Sequence, residues 1–327
     1  MRQRFSPDYY INGILTGDRL ILSRAITLVE SSRPDDQALA QQVLEGVLPH
    51  TGGSVRVGIT GVPGVGKSTF IEAFGTYLTN VGHRLAVLAV DPSSQRSGGS
   101  LLGDKTRMET LSTNPNAYIR PSPASGALGG VAHRTRETML LCEAAGFDVI
   151  LVETVGVGQS ETVVHGMVDF FLLLMLAGAG DELQGMKRGI MELADALCIT
   201  KADGDNVANA DRARVEYQNA LHLFPPTDTG WFPPVLTGSA LTGMGVADVW
   251  QTIQEHQTLT AQNGHRTQRR QQQQLSWFKG LLQQRLSQNF YARPGIADRL
   301  TALEEQIKNG TMLPSQAVDT LFTAIVP

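Results

Sequence analysis

A doubly wound, mostly parallel α/β sheet with helical extensions at both ends is predicted by three features of this 327-residue sequence. Short β-branched and apolar runs recur between stretches of helical periodicity, the pattern of strands joined by crossover helices. Most of these runs are apolar throughout rather than alternating, as strands covered on both faces must be. One of them, Val55–Thr60, runs directly into Gly61-Val62-Pro63-Gly64-Val65-Gly66-Lys67-Ser68, which satisfies G-x-x-x-x-G-K-[ST] at every specified position.

Residues 1–53 read as an N-terminal helical extension without chemistry of its own. Ser6-Pro7 is a cap followed by proline at the first helical position, Asp18 can cap Arg19–Glu30, and Asp35 or Asp36 can cap Ala38–Leu48. Residues 54–262 form the nucleotide domain. Its strands are expected at Val55–Thr60, Arg84–Val90, Ala117–Arg120, Phe147–Val152, Asp169–Leu176, Ala196–Ile199 and Pro234–Leu236, with helices such as Gly130–Ala145 and Asn209–Leu223 between them. Ligand-binding loops then belong at the carboxyl ends of the strands.

Residues 263–327 depart from this alternation. Arg266, Arg269 and Arg270 precede four glutamines, and the cluster reads as a solvated linker or helix start rather than a nucleic-acid patch, since no aromatic platform accompanies it. Leu275, Phe278, Leu282 and Leu286 then make one amphipathic stripe, Leu300, Leu303 and Ile307 a second, and Val318, Leu321 and Phe322 a third. Such a helical region serves either oligomerisation or packing on the parent domain. With 27 basic and 31 acidic residues the net charge is −4, so no global field favours nucleic acid or anionic membrane. The longest apolar run, Phe170–Ala177, is far short of the roughly 18 residues that span a bilayer. Cys142 and Cys198 lie in apolar surroundings without metal-site spacing, consistent with reduced thiols in a cytoplasmic protein.

The Gly-rich loop explains itself chemically. Glycines allow successive backbone N–H groups to face one anion, and the helix beginning near Lys67 points its positive end at the same place. Lys67 would reach the β- and γ-phosphates, Ser68 would bind Mg²⁺, and Thr69 would donate to the α-phosphate. After the second strand come Asp91-Pro92-Ser93-Ser94 and Asp104-Lys105-Thr106-Arg107, whose carboxylates Asp91 and Asp104 are candidates for the metal or its water shell. The fourth strand ends in Glu153-Thr154-Val155-Gly156, where phosphate-loop GTPases usually carry Asp-x-x-Gly. Glu153 can approach the metal shell or the attacking water, the Gly156 amide can sense the γ-phosphate, and Gln159 and Glu161 are weaker candidates for orienting water. A Gly-rich loop after the fifth strand carries Gln184, Lys187 and Arg188.

Base choice rests on Thr200-Lys201-Ala202-Asp203. An aspartate there accepts from guanine's ring N–H and 2-amino group, while adenine offers it an acceptor and no amino group, so Asp203 selects guanine. Thr200 replaces the usual Asn, whose side chain ties this loop to the phosphate loop. Ser239-Ala240-Leu241 fits the remaining base-contact loop.

Taken together, residues 61–69, 91–94, 103–108, 153–161, 180–189, 200–203 and 239–241 resemble the MeaB/ArgK/methylmalonic-aciduria-type-A family, and the resemblance runs along essentially the whole chain. It implies a Mg²⁺-dependent, homodimeric GTPase, dimerised through its C-terminal helices, that converts GTP to GDP. The implied partner is adenosylcobalamin-dependent methylmalonyl-CoA mutase, whose cofactor loading it gates and which it protects as a chaperone. The loop bearing Gln184 and Lys187 resembles the family's additional, partner-responsive switch. Two other readings stand beside this one: an ATP-dependent kinase acting on an arginine/ornithine transport component, an older assignment within the family, and a nucleotide-gated binding module with incidental hydrolysis. No arginine stands where it would mark a finger, so turnover by the isolated protein is expected to be slow.

Overall fold

A computed structural model describes residues 4–90, 108–121, 128–154, 160–178, 188–224 and 229–323. The central feature is a seven-stranded sheet, every pairing parallel, built from β1 (Val55–Gly61), β2 (Leu85–Val90), β3 (Ala117–Arg120), β4 (Val149–Thr154), β5 (Phe170–Leu176), β6 (Ala196–Thr200) and β7 (Val235–Thr237). The strand order is β3-β2-β4-β1-β5-β6-β7. All seven strands expected from the apolar runs are present, with ends displaced by a residue or two.

Alternate residues of the inner strands serve opposite cores, which is why the runs are apolar throughout. Ala86, Leu88, Ile150, Val152 and Phe171 face one layer, where Ile14, Leu22, Ile26, Val43 and Val47 of the N-terminal helices pack with Leu141 of the helix Leu128–Ala144. Val57, Ile59, Val87, Leu151 and Leu172 face the other, meeting Phe70, Phe74 and Leu78 of the helix Lys67–Asn80 and Ile253 of the helix Val246–Gln262. A third cluster joins Leu173, Leu197 and Ile199 to Ala210, Tyr217 and Leu221 of the helix Val207–Leu221. Each large side chain so buried contributes on the order of 1.5–3 kcal/mol.

The N-terminal helices span Pro7–Leu15, Arg19–Glu30 and Pro34–Val47. Ser6 and Asp18 cap the first two as expected, Asp18 Oδ1 accepting from the Leu20 and Ile21 amides at 2.8 and 3.1 Å. The third differs: Pro34 starts it, Arg33 is the N-cap residue, and Asp36 instead accepts from Arg4 Nε at 2.9 Å and Ser31 Oγ at 2.8 Å. Proline in the first turn moves the helix start back past the aspartates.

The chain forms two compact units, residues 1–273 and 274–327. The basic cluster that reads as a solvated linker or helix start does open a helix, His265–Tyr291, but it lies in the first unit and its arginines are bonded rather than solvated. Arg270 donates to Asp169 through Nε at 2.7 Å and Nη2 at 2.6 Å, and to the carbonyls of Gly52 and Ser54 at 2.6 and 2.7 Å. Arg266 adds a bond to Ser54 O, and Arg269 lies 3.5 Å from Asp195. Beside them Glu143 accepts from Arg56, Ser54 and the Gly52 amide. These groups rivet the residues leading into β1 and β5, at the sheet edge opposite the phosphate loop. In the second unit Phe290 stacks on Phe322, their centroids 5.1 Å apart, and Ile296 and Leu321 are buried. Leu275, Phe278, Leu282 and Leu286 remain exposed. Among the described residues, no helix is long and apolar enough to cross a membrane.

Candidate nucleotide-binding site

Because every strand runs the same way, β1, β6 and β7 deliver the three described loops to one edge of the sheet. The phosphate loop leaves β1 at Gly61, where a Cβ would sit 2.6 Å from Leu174 O on neighbouring β5. Only glycine permits that approach. Gly66, the N-cap residue, has φ 90° and ψ 33°, a left-handed conformation that turns the chain into the helix starting at Lys67. Val65 is the loop's anchor, its side chain buried in the core below, while Pro63 and Gly64 are exposed and Val62, Gly66, Lys67 and Ser68 are half-buried. Thr69 is exposed at the first turn.

Lys67 Nζ donates to Gly61 O at 2.8 Å, so the ammonium is held across the mouth of its own loop. Burial draws its pKa below the ordinary lysine range, opposed by the negative charges of Glu153 and Glu161. Both carboxylates are buried, Glu153 at the end of β4 and Glu161 in the short helix Ser160–His165. Ser68 Oγ donates to Glu153 Oε1 at 3.3 Å. This pair is an oxygen-only, hard donor set at the helix start, suited to Mg²⁺ with the remainder of its shell from water and phosphate. Among the described residues, no group of three or more His, Cys, Asp or Glu is clustered for metal binding. Thr154 donates to Thr60 at 2.8 Å and locks the ends of β4 and β1 together beneath the loop.

The base loop follows β6 without a break. Lys201 adopts φ 57°, unusual for a residue with a Cβ, and its Nζ donates to Gly64 O at 2.9 Å, laying the stem along the phosphate loop. Asp203 accepts a hydrogen bond from Ser239 Oγ, which fixes the carboxylate, and the Ala202 amide donates to Gly238 O at 3.1 Å. Ser239 is itself fully buried, Ala240 is half-buried and Leu241 is 82% exposed. The predicted pieces 61–69, 153, 200–203 and 239–241 therefore converge at one edge. Asp91, Asp104, Gly156, Gln159, Gln184 and Lys187 lie outside the described residues.

Two contacts were not read from the sequence. The Thr200 hydroxyl donates to Val65 O at 2.8 Å, so the residue that departs from the usual Asn still ties the base loop to the phosphate loop. Glu72, one turn beyond Ser68, accepts from the Thr110 and Leu111 amides at 2.7 and 3.2 Å and so pins the helix Glu109–Thr113 to the phosphate-loop helix. Nothing in the local sequence separates such a glutamate from a solvated one.

Comparison with known proteins agrees with this geometry. The family model for methylmalonyl Co-A mutase-associated GTPase MeaB matches residues 22–295. The mitochondrial methylmalonic aciduria type A homolog of Mus musculus is 48% identical over 335 residues, covering 98% of this chain and 80% of that protein. GTPase ArgK of Escherichia coli K12 is 47% identical over 304 residues, 93% of this chain and 92% of that one. The crystal structure of a LAO/AO transport system kinase superposes with a TM-score of 0.78 at 39% identity, over 99% of both chains. A complete phosphate loop, a base loop carrying Lys201 and Asp203, and these relatives along nearly its full length make the chain a member of the MeaB family of P-loop GTPases.

Proposed function

We propose that this GTPase hydrolyses GTP to GDP with Mg²⁺ in the cytoplasm, and that the nucleotide state governs its action as a chaperone of an adenosylcobalamin-dependent methylmalonyl-CoA mutase, gating cofactor loading and protecting the mutase. The observation that carries the guanine reading is Asp203, oriented by Ser239 and joined through Lys201 to the phosphate loop. The names of the family and of the mouse relative support the client.

In this reading the backbone N–H groups of the phosphate loop, which Pro63 lacks, and the Lys67 ammonium hold the β- and γ-phosphates, and Lys67 exchanges its bond to Gly61 O for phosphate oxygens. Ser68 and Glu153, with Asp91 and Asp104, would hold Mg²⁺ or its water shell, and the ion would supply charge that neutralises the phosphates. Glu153, buried beside Lys67, orients the attacking water or the ligands around it, and Gly156 and Gln159 follow the γ-phosphate. Gln184 and Lys187 belong to the partner-responsive loop. The exposed stripe of Leu275, Phe278, Leu282 and Leu286 supports a homodimer formed through the C-terminal unit. Neither nucleic acid nor membrane is a partner.

Kinase action on ATP is the second reading, favoured by the name of the solved relative and opposed by Asp203, which adenine does not satisfy. Phosphate release from GTP and from ATP, with and without a cobalamin-dependent mutase and with Lys67→Ala as control, separates the two. GTP turnover that the mutase accelerates and Lys67→Ala abolishes is the expected result. Equal turnover of ATP overturns the guanine assignment, and indifference to the mutase overturns the client.

A further inference from the structure

The N-terminal helices, which read from the sequence as an extension without chemistry of its own, border a cleft of about 950 Å³. It lies between the segment Arg4–Phe5, the helix Arg19–Glu30 and the start of the helix Pro34–Val47, and it is large enough for a small-molecule ligand. Phe5, Tyr10 and Leu28 supply its apolar lining. Phe5 stacks on Tyr9 with centroids 4.3 Å apart and meets Tyr10 edge-on at 6.2 Å, so one wall is a preformed aromatic corner. Most of the charge around this lining is spent internally. Arg4 donates to Asp36 at 2.9 Å and to Asp35 at 3.1 Å, and Glu30 accepts from Arg120 at the end of β3. Two guanidiniums are left over. Arg24 lies 5.4 Å over the Phe5 ring and donates to the Tyr9 hydroxyl at 3.3 Å, and among the described residues no carboxylate pairs with it. Arg33 is 71% exposed and comes only within 4.0 Å of Asp36, a carboxylate already held by Arg4 and Ser31.

We infer that this cleft is a second binding site, separate from the nucleotide loops, for an organic anion with a flat apolar body. The anion takes the guanidinium of Arg24, and the body lies over Tyr10 and Leu28. Charge bookkeeping selects the sign, because the cleft's carboxylates are neutralised by Arg4 and Arg120 while Arg24 is not neutralised by any of them. The ring beneath Arg24 and the phenol beside it hold the plane of the guanidinium, and four of its five N–H groups remain to bind an anion in a forked geometry. The aromatic corner selects a planar body, which gains stacking and loses little rotamer freedom, over a flexible chain that must be ordered. None of these residues belongs to the phosphate or base loops.

The test follows the fluorescence of anilinonaphthalene sulfonate, an anion with a flat apolar body, on the full chain, with saturating GDP to keep the dye out of the nucleotide loops. Saturable binding is expected. Arg24→Gln, at an exposed position, weakens it about tenfold, the scale of one lost charge-assisted bond, while GTP turnover stays within about twofold. A variant that had merely loosened would take up more dye, as partly folded states do. Naphthoate displaces the dye. Naphthamide, which lacks the charge, and octanoate, which lacks the plane, each do so about tenfold less well. Absence of saturable binding in GDP, or an Arg24→Gln affinity within about twofold of wild type, overturns the inference. Naphthamide competing as well as naphthoate overturns the anion, and octanoate competing as well overturns the flat body.

Discussion

Arg270→Ala is expected to cost the first compact unit about 3–5 kcal/mol at neutral pH, although Arg270 lies at the sheet edge opposite the nucleotide loops. The substitution removes two charge-assisted bonds to Asp169 and two to the carbonyls of Gly52 and Ser54. The Asp169 side chain is only 2% exposed, and it would be left with the more distant charge of the Arg56 guanidinium and the Arg56 amide at 3.0 Å. That is the penalty of an uncompensated buried charge, several times the ~0.2–1 kcal/mol of an exposed pair. The pH dependence follows from Asp169. Burial pushes its carboxyl up, but the hydrogen bonds and charge of Arg270 outweigh this and hold it below the usual carboxylate range. A depressed carboxyl contributes stability above its unfolded value of about 4, and the contribution disappears as pH falls through the lower folded value. The difference between wild type and Arg270→Ala is therefore largest at neutral pH and shrinks as pH falls through the folded value of Asp169 in the variant, which lies above that in wild type once Arg270 is gone. Urea unfolding followed by the fluorescence of Trp231 and Trp250 measures it, and the apolar pair Asp169→Leu with Arg270→Met should recover most of the loss. A penalty under about 1 kcal/mol at pH 7, or one that grows toward acid, refutes the reasoning.

Three other outcomes are expected. Asp203→Asn exchanges an acceptor for a donor toward the base, so preference should move from GTP toward XTP, and retained GTP selectivity removes Asp203 from base reading. Glu153→Gln keeps the shape beside Ser68 but deletes the charge; GTP hydrolysis should fall on the order of a hundredfold while GDP affinity changes little, and wild-type turnover would leave Glu153 without a catalytic role. Ending the chain at Gln273 removes the exposed stripe from Leu275 onward, and sedimentation should then show a monomer if that stripe is the dimer contact; a persisting dimer assigns the contact elsewhere.

The strands were legible because a covered parallel sheet imposes uninterrupted apolar runs, and Phe170–Leu176 could be little else. The phosphate loop was legible because its glycines answer to local backbone demands, as the left-handed Gly66 shows. What escaped sequence reading depends on distant partners. Arg266, Arg269 and Arg270 carry the composition of a solvated helix start, and only the fold brings Asp169 and Asp195 under them. Thr200 was visible as a departure from Asn, but its bond to Val65 requires β1 and β6 to be placed around β5. Asp36, expected to cap a helix, is claimed by Arg4 thirty-two residues earlier, a choice local propensity cannot express.

The strand order has a consequence for synthesis. β1 is among the first elements to leave the ribosome, yet its neighbours are β4 and β5, Val55 pairing with Val149 and Val57 with Phe170. The segment bearing Lys67 and Ser68 thus waits for about a hundred further residues before its strand has a partner on either side, and for still more before Asp203 and Ser239 arrive. If Asp203 and Ser239 complete the guanine contact as proposed, GTP stabilises only a chain long enough to include them. Until Val149 and Phe170 are made, β1 exposes both of its unpaired edges.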